Sequence, residues 1–199
     1  MRERGLSVDH VTIFRWVQRY APEINKRMRP YLKLAGASCR IDETYVKVGT
    51  QWKYLYRAVD KEGQTIEFML SAKRDVSAAK RFFKKMMRAD HRRLPFTIGT
   101  DKHASYPEAF AASVKEKVLP FDCKLRRVKY LNNVIEQDHR AIRRRWRAAQ
   151  CFHSFHTAER TIEGIEAAHM MRKGQVKRLD GRDAVGQAKF VESLFGVAA

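Results

Sequence analysis

The stretch RIDETYVKVGTQWKYLYRAVDKEGQTIEFML, residues 40–70, decides the fold. Apolar and polar residues alternate through SCRIDETYVKV (38–48), QWKYLYRAVD (51–60) and TIEFMLSAKRD (65–75), which predicts three β-strands. The last two are separated by Lys61, Glu62, Gly63 and Gln64, and Asp60 with Gly63 makes that join a hairpin turn. The three strands read as an antiparallel meander. One residue stands out: Asp42, inside the first strand and flanked by Ile41 and Tyr45, is a mid-strand carboxylate that needs a partner or a metal ion there.

Working outward, VSAAKRFFKKMMRAD (76–90) carries Ala79, Phe82, Phe83, Met86 and Met87 at helical spacing, with Ser77 or Asp75 as cap, and the stripe reads as core. PFTIGTD (95–101) predicts a short buried strand ending in Asp101, SYPEAFAAS (105–113) a helix, and KVLPFD (117–122) a weak strand. The basic linker CKLRRVKYLNN (123–133) leads to a helix over 131–148, and a further helix covers HTAERTIEGIEAAHMMRKGQ (156–175). Before the meander, SVDHVTIFRWVQRY (7–20) is a short amphipathic helix with Ser7 or Asp9 as cap, and Pro30 marks a boundary. Three antiparallel strands followed by alternating helices and strands give an α/β fold with the mixed sheet of a ribonuclease-H-like domain. The division expected is 1–30 as an N-terminal helical segment, 31–175 as the sheet-bearing domain and 176–199 as a C-terminal tail.

Composition narrows the partners. Among 199 residues, Lys+Arg number 41 and Asp+Glu 22, a formal net charge of +19. Such an imbalance points to a polyanion. No apolar run approaches the roughly 20 residues of a membrane span, and MRERGLSVDH lacks a signal-peptide core. Nucleic acid is therefore the expected partner, and the cytoplasm the expected compartment. Cys39, Cys123 and Cys151 are odd in number and far apart, which suits reduced thiols. Cys151, His153 and His156 match no common zinc spacing. No phosphate-binding glycine motif is present, so no nucleotide cofactor is expected.

Three acids fall at telling places: Asp42 inside the first strand, Asp101 at the carboxyl end of the fourth, and Glu136 on the helix that follows the last strand. With the first and fourth strands side by side and that helix packed against them, the three can converge. Glu43, next to Asp42, is expected on the opposite face of the strand, and Asp138 about 200° around the helix from Glu136.

RIDETYVKVGTQWKYLYRAVDKEGQTIEFMLSAKRD, TIGTDKHASYP and YLNNVIEQDHRAIRRR resemble the acidic motifs of DDE transposases, in particular the bacterial insertion-sequence transposases of the IS-six type. Thirty-four residues separate Asp101 from Glu136, the gap that group carries, and SFHTAERTIEGIEAAHMMRKGQ resembles its C-terminal segment. The resemblance spans nearly all of residues 5–175. It implies an RNase-H-like fold, Asp42, Asp101 and Glu136 as catalytic residues and metal ligands, and Mg2+ (Mn2+ substituting) as the metal. Arg143 stands where the family carries a basic residue facing DNA.

The residues themselves suit that chemistry. Magnesium takes hard oxygen ligands, and three carboxylates can hold two ions about 3.5–4 Å apart for in-line displacement at a phosphodiester. Water first frees a 3′-hydroxyl at an element end, and that hydroxyl then attacks target DNA. Nine cations lie between 124 and 147: Lys124, Arg126, Arg127, Lys129, Arg140, Arg143, Arg144, Arg145 and Arg147. Beside a metal site they are expected to contact phosphates, while Ile135, Ile142 and Trp146 face the core. VDHVTIFRWV resembles the recognition helix of the family's helix-turn-helix, which implies a partial helix-turn-helix over 1–30, a catalytic domain over 31–175, and Thr12 and Arg15 as DNA-contact candidates. Almost nothing precedes it, so the expectation is an N-terminally truncated chain that discriminates terminal inverted repeats poorly. Action on two ends suggests a homo-oligomer on double-stranded DNA. A non-transposing RNase-H-like nuclease and a catalytically idle DNA-binding regulator are the competing readings. A strand-transfer assay separates the first, and Mg2+-dependent cleavage the second.

Overall fold

The computed structural model describes residues 7–128, 133–147 and 152–197. Strands β1 (Ser38–Val48), β2 (Gln51–Asp60) and β3 (Thr65–Ser71) form the antiparallel meander. Gly49, at φ 57°, and Gly63, at φ 81°, take the left-handed conformations that the two turns demand. Asp60 fixes the second turn by accepting from the Glu62 and Gln64 amides at 3.0 and 2.8 Å. Strand β4 (Thr97–Thr100) adds parallel to β1, and β5 (Lys124–Arg127) adds parallel to β4. The sheet order β3-β2-β1-β4-β5 is the ribonuclease-H-like arrangement expected from the sequence.

Helices α2 (Val76–Met86) and α3 (Ser105–Lys115) cover one face of this sheet. Phe82, Phe83, Met86, Tyr106 and Ala109 pack there on Ile41, Tyr56, Ala58 and Ile98, all buried. The stripe read as core is core. Asp75, and not Ser77, caps α2, accepting the Ala78 amide at 2.8 Å.

Residues 117–122 correct the weak strand expected there. They close α3: the Val118 amide donates to Ser113 and the Lys117 amide to Val114, with Lys117 at φ 56°. This is a helix C-cap whose apolar residue, Leu119, is buried. The fifth strand lies instead inside the supposed basic linker. Its register comes from pairing Thr97–Thr100 with Lys124–Arg127, not from any alternation of its own. An edge strand tolerates those cations and is protected by them.

Helix α4 (Asn133–Arg147) lies against β1 on the other face. Ile135 and Ile142 are fully buried; the side chain of Trp146 lies outside the described residues. Asp138 meets Arg57 at 2.5 Å, and Arg57 is wholly buried. The Arg143 Nε donates to the Thr44 hydroxyl of β1 at 2.6 Å.

The described chain groups into two compact units, residues 29–151 with the sheet, and residues 1–28 together with 152–199. In the second, α1 (His10–Met28) packs on α5 (Phe155–Arg172), and α6 (Ala184–Leu194) completes it within the stretch read from sequence as a tail. Helix α1 starts at the Asp9 cap, whose carboxylate accepts the Thr12 amide at 2.6 Å. It runs past residue 20, through Pro22, to Met28. Ala21, Asn25 and Met28 are buried, and that packing carries the helix through a proline that withholds one amide donor. A side chain at Gly164 of α5 would place its Cβ 2.7 Å from that of Ala21, so the close approach of the two helices requires glycine.

The Arg57–Asp138 pair makes the position of α4 testable. Removing one member of a buried ion pair strands the other charge. Asp138→Ala is expected to lower the unfolding free energy by about 3–5 kcal/mol, measured by urea denaturation. A loss within the ordinary range of surface substitutions, about ±0.5 kcal/mol, would contradict the pairing.

Candidate metal and DNA site

Strand β4 pairs with β1 only from Ser38 to Arg40, and β1 then continues past it. Asp42 and Glu43 therefore stand where the neighbouring strand ends and Asp101 leaves it. Oxygens of Asp42, Glu43 and Asp101 all lie within 4.8 Å of one another. Among the described residues these are the acids brought together, and Glu136 is not within that group.

Each carboxylate is held differently. Glu43 is buried and accepts from the Tyr106 hydroxyl of α3 at 2.6 Å. Arg74, in the connection between β3 and α2, uses one nitrogen to bridge Glu43 at 2.8 Å and Asp101 at 2.7 Å. The second oxygen of Asp101 accepts the His103 amide at 2.9 Å. Asp42 has no comparable cation. Burial, with Glu43 and Asp101 adding like charge, pushes its carboxyl up to about 7. His139 of α4 lies 3.7 Å from it. Burial and the guanidinium groups of Arg57 and Arg143 hold that imidazole down at about 3, so at neutral pH it is uncharged and does not neutralise Asp42.

Glu136 is exposed on α4, one turn before His139 and Arg140. Arg140 and Arg144 are exposed as well, whereas Arg143 is half-buried by its bond to Thr44. Lys124, Arg126 and Arg127 are exposed along β5, and Arg127 donates to the Lys102 carbonyl beside Asp101 at 2.9 Å. Lys129 lies outside the described residues, as do the side chains of Arg145 and Arg147. In the separate α-helical unit, Arg15 is exposed and Thr12 half-buried. Cys39 and Cys123 are buried free thiols; Cys151 is not among the described residues. No helix among the described residues is long and apolar enough to cross a membrane.

The sequence placed Glu43 on the opposite face of the strand from Asp42 and marked no role for Arg74, Tyr106 or His139. Strand alternation correctly sends Glu43 toward α3, where Tyr106 meets it. Its carboxylate still joins the group, because adjacent residues lie only about 3.8 Å apart at Cα and Arg74 draws it toward Asp101. The sequence signal for Glu43 was its adjacency to Asp42; nothing in the pattern marks Arg74 as a bridge.

The chemistry of this donor set is that of a hard-cation site: carboxylate oxygens in excess of the positive charge that holds them. The family model for the DDE domain (DDE_Tnp_IS240) matches residues 36–175. The transposase for insertion sequence-like element IS431mec of Staphylococcus aureus is 41% identical over 173 residues, covering 87% of this chain and 75% of that protein. The transposase for insertion sequence element IS257 in transposon Tn4003, also of Staphylococcus aureus, is 40% identical over the same length and coverage. Among solved structures, the HTLV-2 integrase catalytic core domain in complex with magnesium (trimeric form) is similar at a TM-score of 0.49 and 13% identity, over 66% of this chain and 84% of that one. By its matched domain and its relatives, this chain belongs to the DDE transposases of bacterial insertion sequences, the IS-six type.

Proposed function

We propose that this chain cuts DNA at the ends of an insertion sequence and joins the freed 3′-hydroxyl to target DNA, with Asp42, Asp101 and Glu136 as the catalytic carboxylates. The observation that carries the reading is the meeting of Asp42 and Asp101 at the open end of β1 in a chain of net charge +19. Glu136 joins by its position on α4, one turn before His139, which stands 3.7 Å from Asp42.

The donor set fits Mg2+ or Mn2+. Asp42 is raised by burial and by the like charges of Glu43 and Asp101, which Arg74 offsets only in part, a state that a divalent cation relieves. Asp42, Asp101 and Glu136 would hold it. Bound there, divalent metal, as two ions in this reading, would activate the attacking oxygen and stabilise the leaving one. The protein's own part is placement. Arg74 and Tyr106 keep Glu43 turned toward α3 and hold one oxygen of Asp101, leaving Asp42 as the least compensated donor. Arg140 and Arg144, with Lys124 and Arg126 of β5, offer cations to the phosphates on either side of the reacting bond. In the first displacement a water oxygen bonds to phosphorus as the 3′-oxygen leaves as a hydroxyl. In the second, that 3′-oxygen bonds to the phosphorus of a target phosphodiester as the target strand's own 3′-oxygen leaves as a hydroxyl. Two ends act together, so an assembly of more than one copy on DNA belongs to this reading. Residues 7–28, with Thr12 and Arg15, would contribute DNA contact from the helical unit.

The raised Asp42 sets a pH dependence. Its carboxyl ionises near 3.8 when unfolded and near 7 when folded, so between those values the unfolded chain holds fewer protons. Stability attributable to this group therefore falls as pH rises through that window. Asp42→Asn should become progressively more stable than the parent, read as ΔTm, from pH 5 to pH 8 (about 1–2 units either side of neutrality). Added Mg2+ should then stabilise the parent and not the variant. A ΔTm flat with pH would contradict the crowding of this carboxylate.

Glu136→Gln should reduce end cleavage and strand transfer by about 10³-fold or more, an order set by loss of a transition-state electrostatic contact, while DNA affinity stays within about threefold. Retained cleavage in a gel assay would remove Glu136 from the site. Arg140→Ala and Arg144→Ala should each flatten the log K against log salt slope by about 1; an unchanged slope would take those side chains off the DNA path.

A further inference from the structure

The face of the sheet that carries Glu43 does not stop at the acidic cluster. Strand alternation and register bring Glu43, Tyr45 and Lys47 of β1 onto one face with their cross-strand partners Tyr56, Tyr54 and Trp52 of β2. Beyond Glu43, toward the turn at Gly49, this face holds Tyr54, Tyr45, Trp52 and Lys47 and no acid. Tyr45 is 52% exposed and Trp52 59%. Their rings lie 6.3 Å apart edge to face, and Tyr45 lies 5.4 Å from Tyr54. Lys47 is exposed opposite Trp52, and Lys73 is exposed just past the end of β3, whose Ser71 pairs with Tyr54.

Aromatic side chains so exposed are costly to leave in water and have a use when a flat partner covers them. Three observations identify that partner. The row begins about 7 Å along β1 from Glu43, beside the acidic cluster. Its flanking charges are lysines, which suit a phosphate backbone. Aromatic rings spread over a sheet surface stack two or three unpaired bases without regard to sequence.

We infer that Tyr45 and Trp52 form a stacking platform for unpaired terminal bases of a DNA end, guiding a single strand toward the acidic cluster. The inference rests on the proposed strand chemistry for its biological meaning, but its test does not. It separates the end of a frayed strand from the duplex that follows, a discrimination the arginines of α4 do not supply, because phosphate contacts read no pairing state. An aromatic pair on a hairpin also stabilises the two strands that bear it, and that role alone predicts a lower Tm with no change in DNA preference.

The experiment is a titration of the full chain, without divalent metal, against two short duplexes. One is blunt and the other carries a three-nucleotide unpaired end containing 2-aminopurine. The parent is expected to favour the unpaired end and to quench the 2-aminopurine. Trp52→Ala should reduce the ratio of the two affinities by about tenfold, within the range for loss of one base–aromatic stack, and Trp52→Phe should keep it. Because Trp52 is exposed, folding of both variants is checked by Tm. An unchanged ratio in Trp52→Ala, or a parent with no preference, overturns the inference. So does a Trp52→Ala variant that changes only its self-association in sedimentation, which would give the face to a second copy. No cutting occurs in these titrations. Failure of the cleavage reading would therefore appear in the Mg2+-dependent gel assay and leave this ratio untouched.

Discussion

Crowding of negative charge at one end of the sheet is the constraint around which the rest is arranged. Three carboxylates within 4.8 Å repel one another, and a fold tolerates this only where surrounding groups hold them. Here Arg74 and Tyr106 compensate Glu43 and Asp101, while Asp42 is left with burial and two like charges, its carboxyl raised to about 7. The nearby imidazole of His139 is kept uncharged by burial and by two arginines and offers no relief. Stability is thus spent at the place where the family's chemistry is expected, as strained electrostatics in functional sites generally are.

The helix α4 shows how the opposite charge is divided between structure and function. Its inner face is an anchor: Asp138 pairs with the buried Arg57, and Arg143 ties to Thr44. Its outer face presents Glu136, Arg140 and Arg144 to solvent. One run of residues therefore both fixes the helix on β1 and offers free cations beside the carboxylates. Arg143, read from the sequence as a DNA contact, is at least partly a packing residue.

The meander was legible because strand alternation is a strong signal when one face is buried, and α2 because its Phe and Met stripe has a helical period. Asp42 announced itself as a carboxylate in mid-strand. What escaped was set by tertiary contacts. Strand β5 has no pattern of its own and exists by pairing with β4; α1 crosses Pro22 because α5 supports it; residues 117–122 look strand-like but wind back as a cap. At the site, Arg74 and Tyr106 come from a connection and a helix remote in sequence, and no local spacing could have joined them to Glu43. The resemblance of the acidic motifs supplied roles for Asp42, Asp101 and Glu136; the geometry supplied the bridge and the crowding.

The account is tested most directly by anomalous diffraction from crystals of the chain soaked in Mn2+. It predicts a peak about 2.0–2.3 Å from carboxylate oxygens of both Asp42 and Asp101, with Glu136 turned in to complete the shell. A peak held by Glu43 without Asp42, or none at the open end of β1, would contradict it.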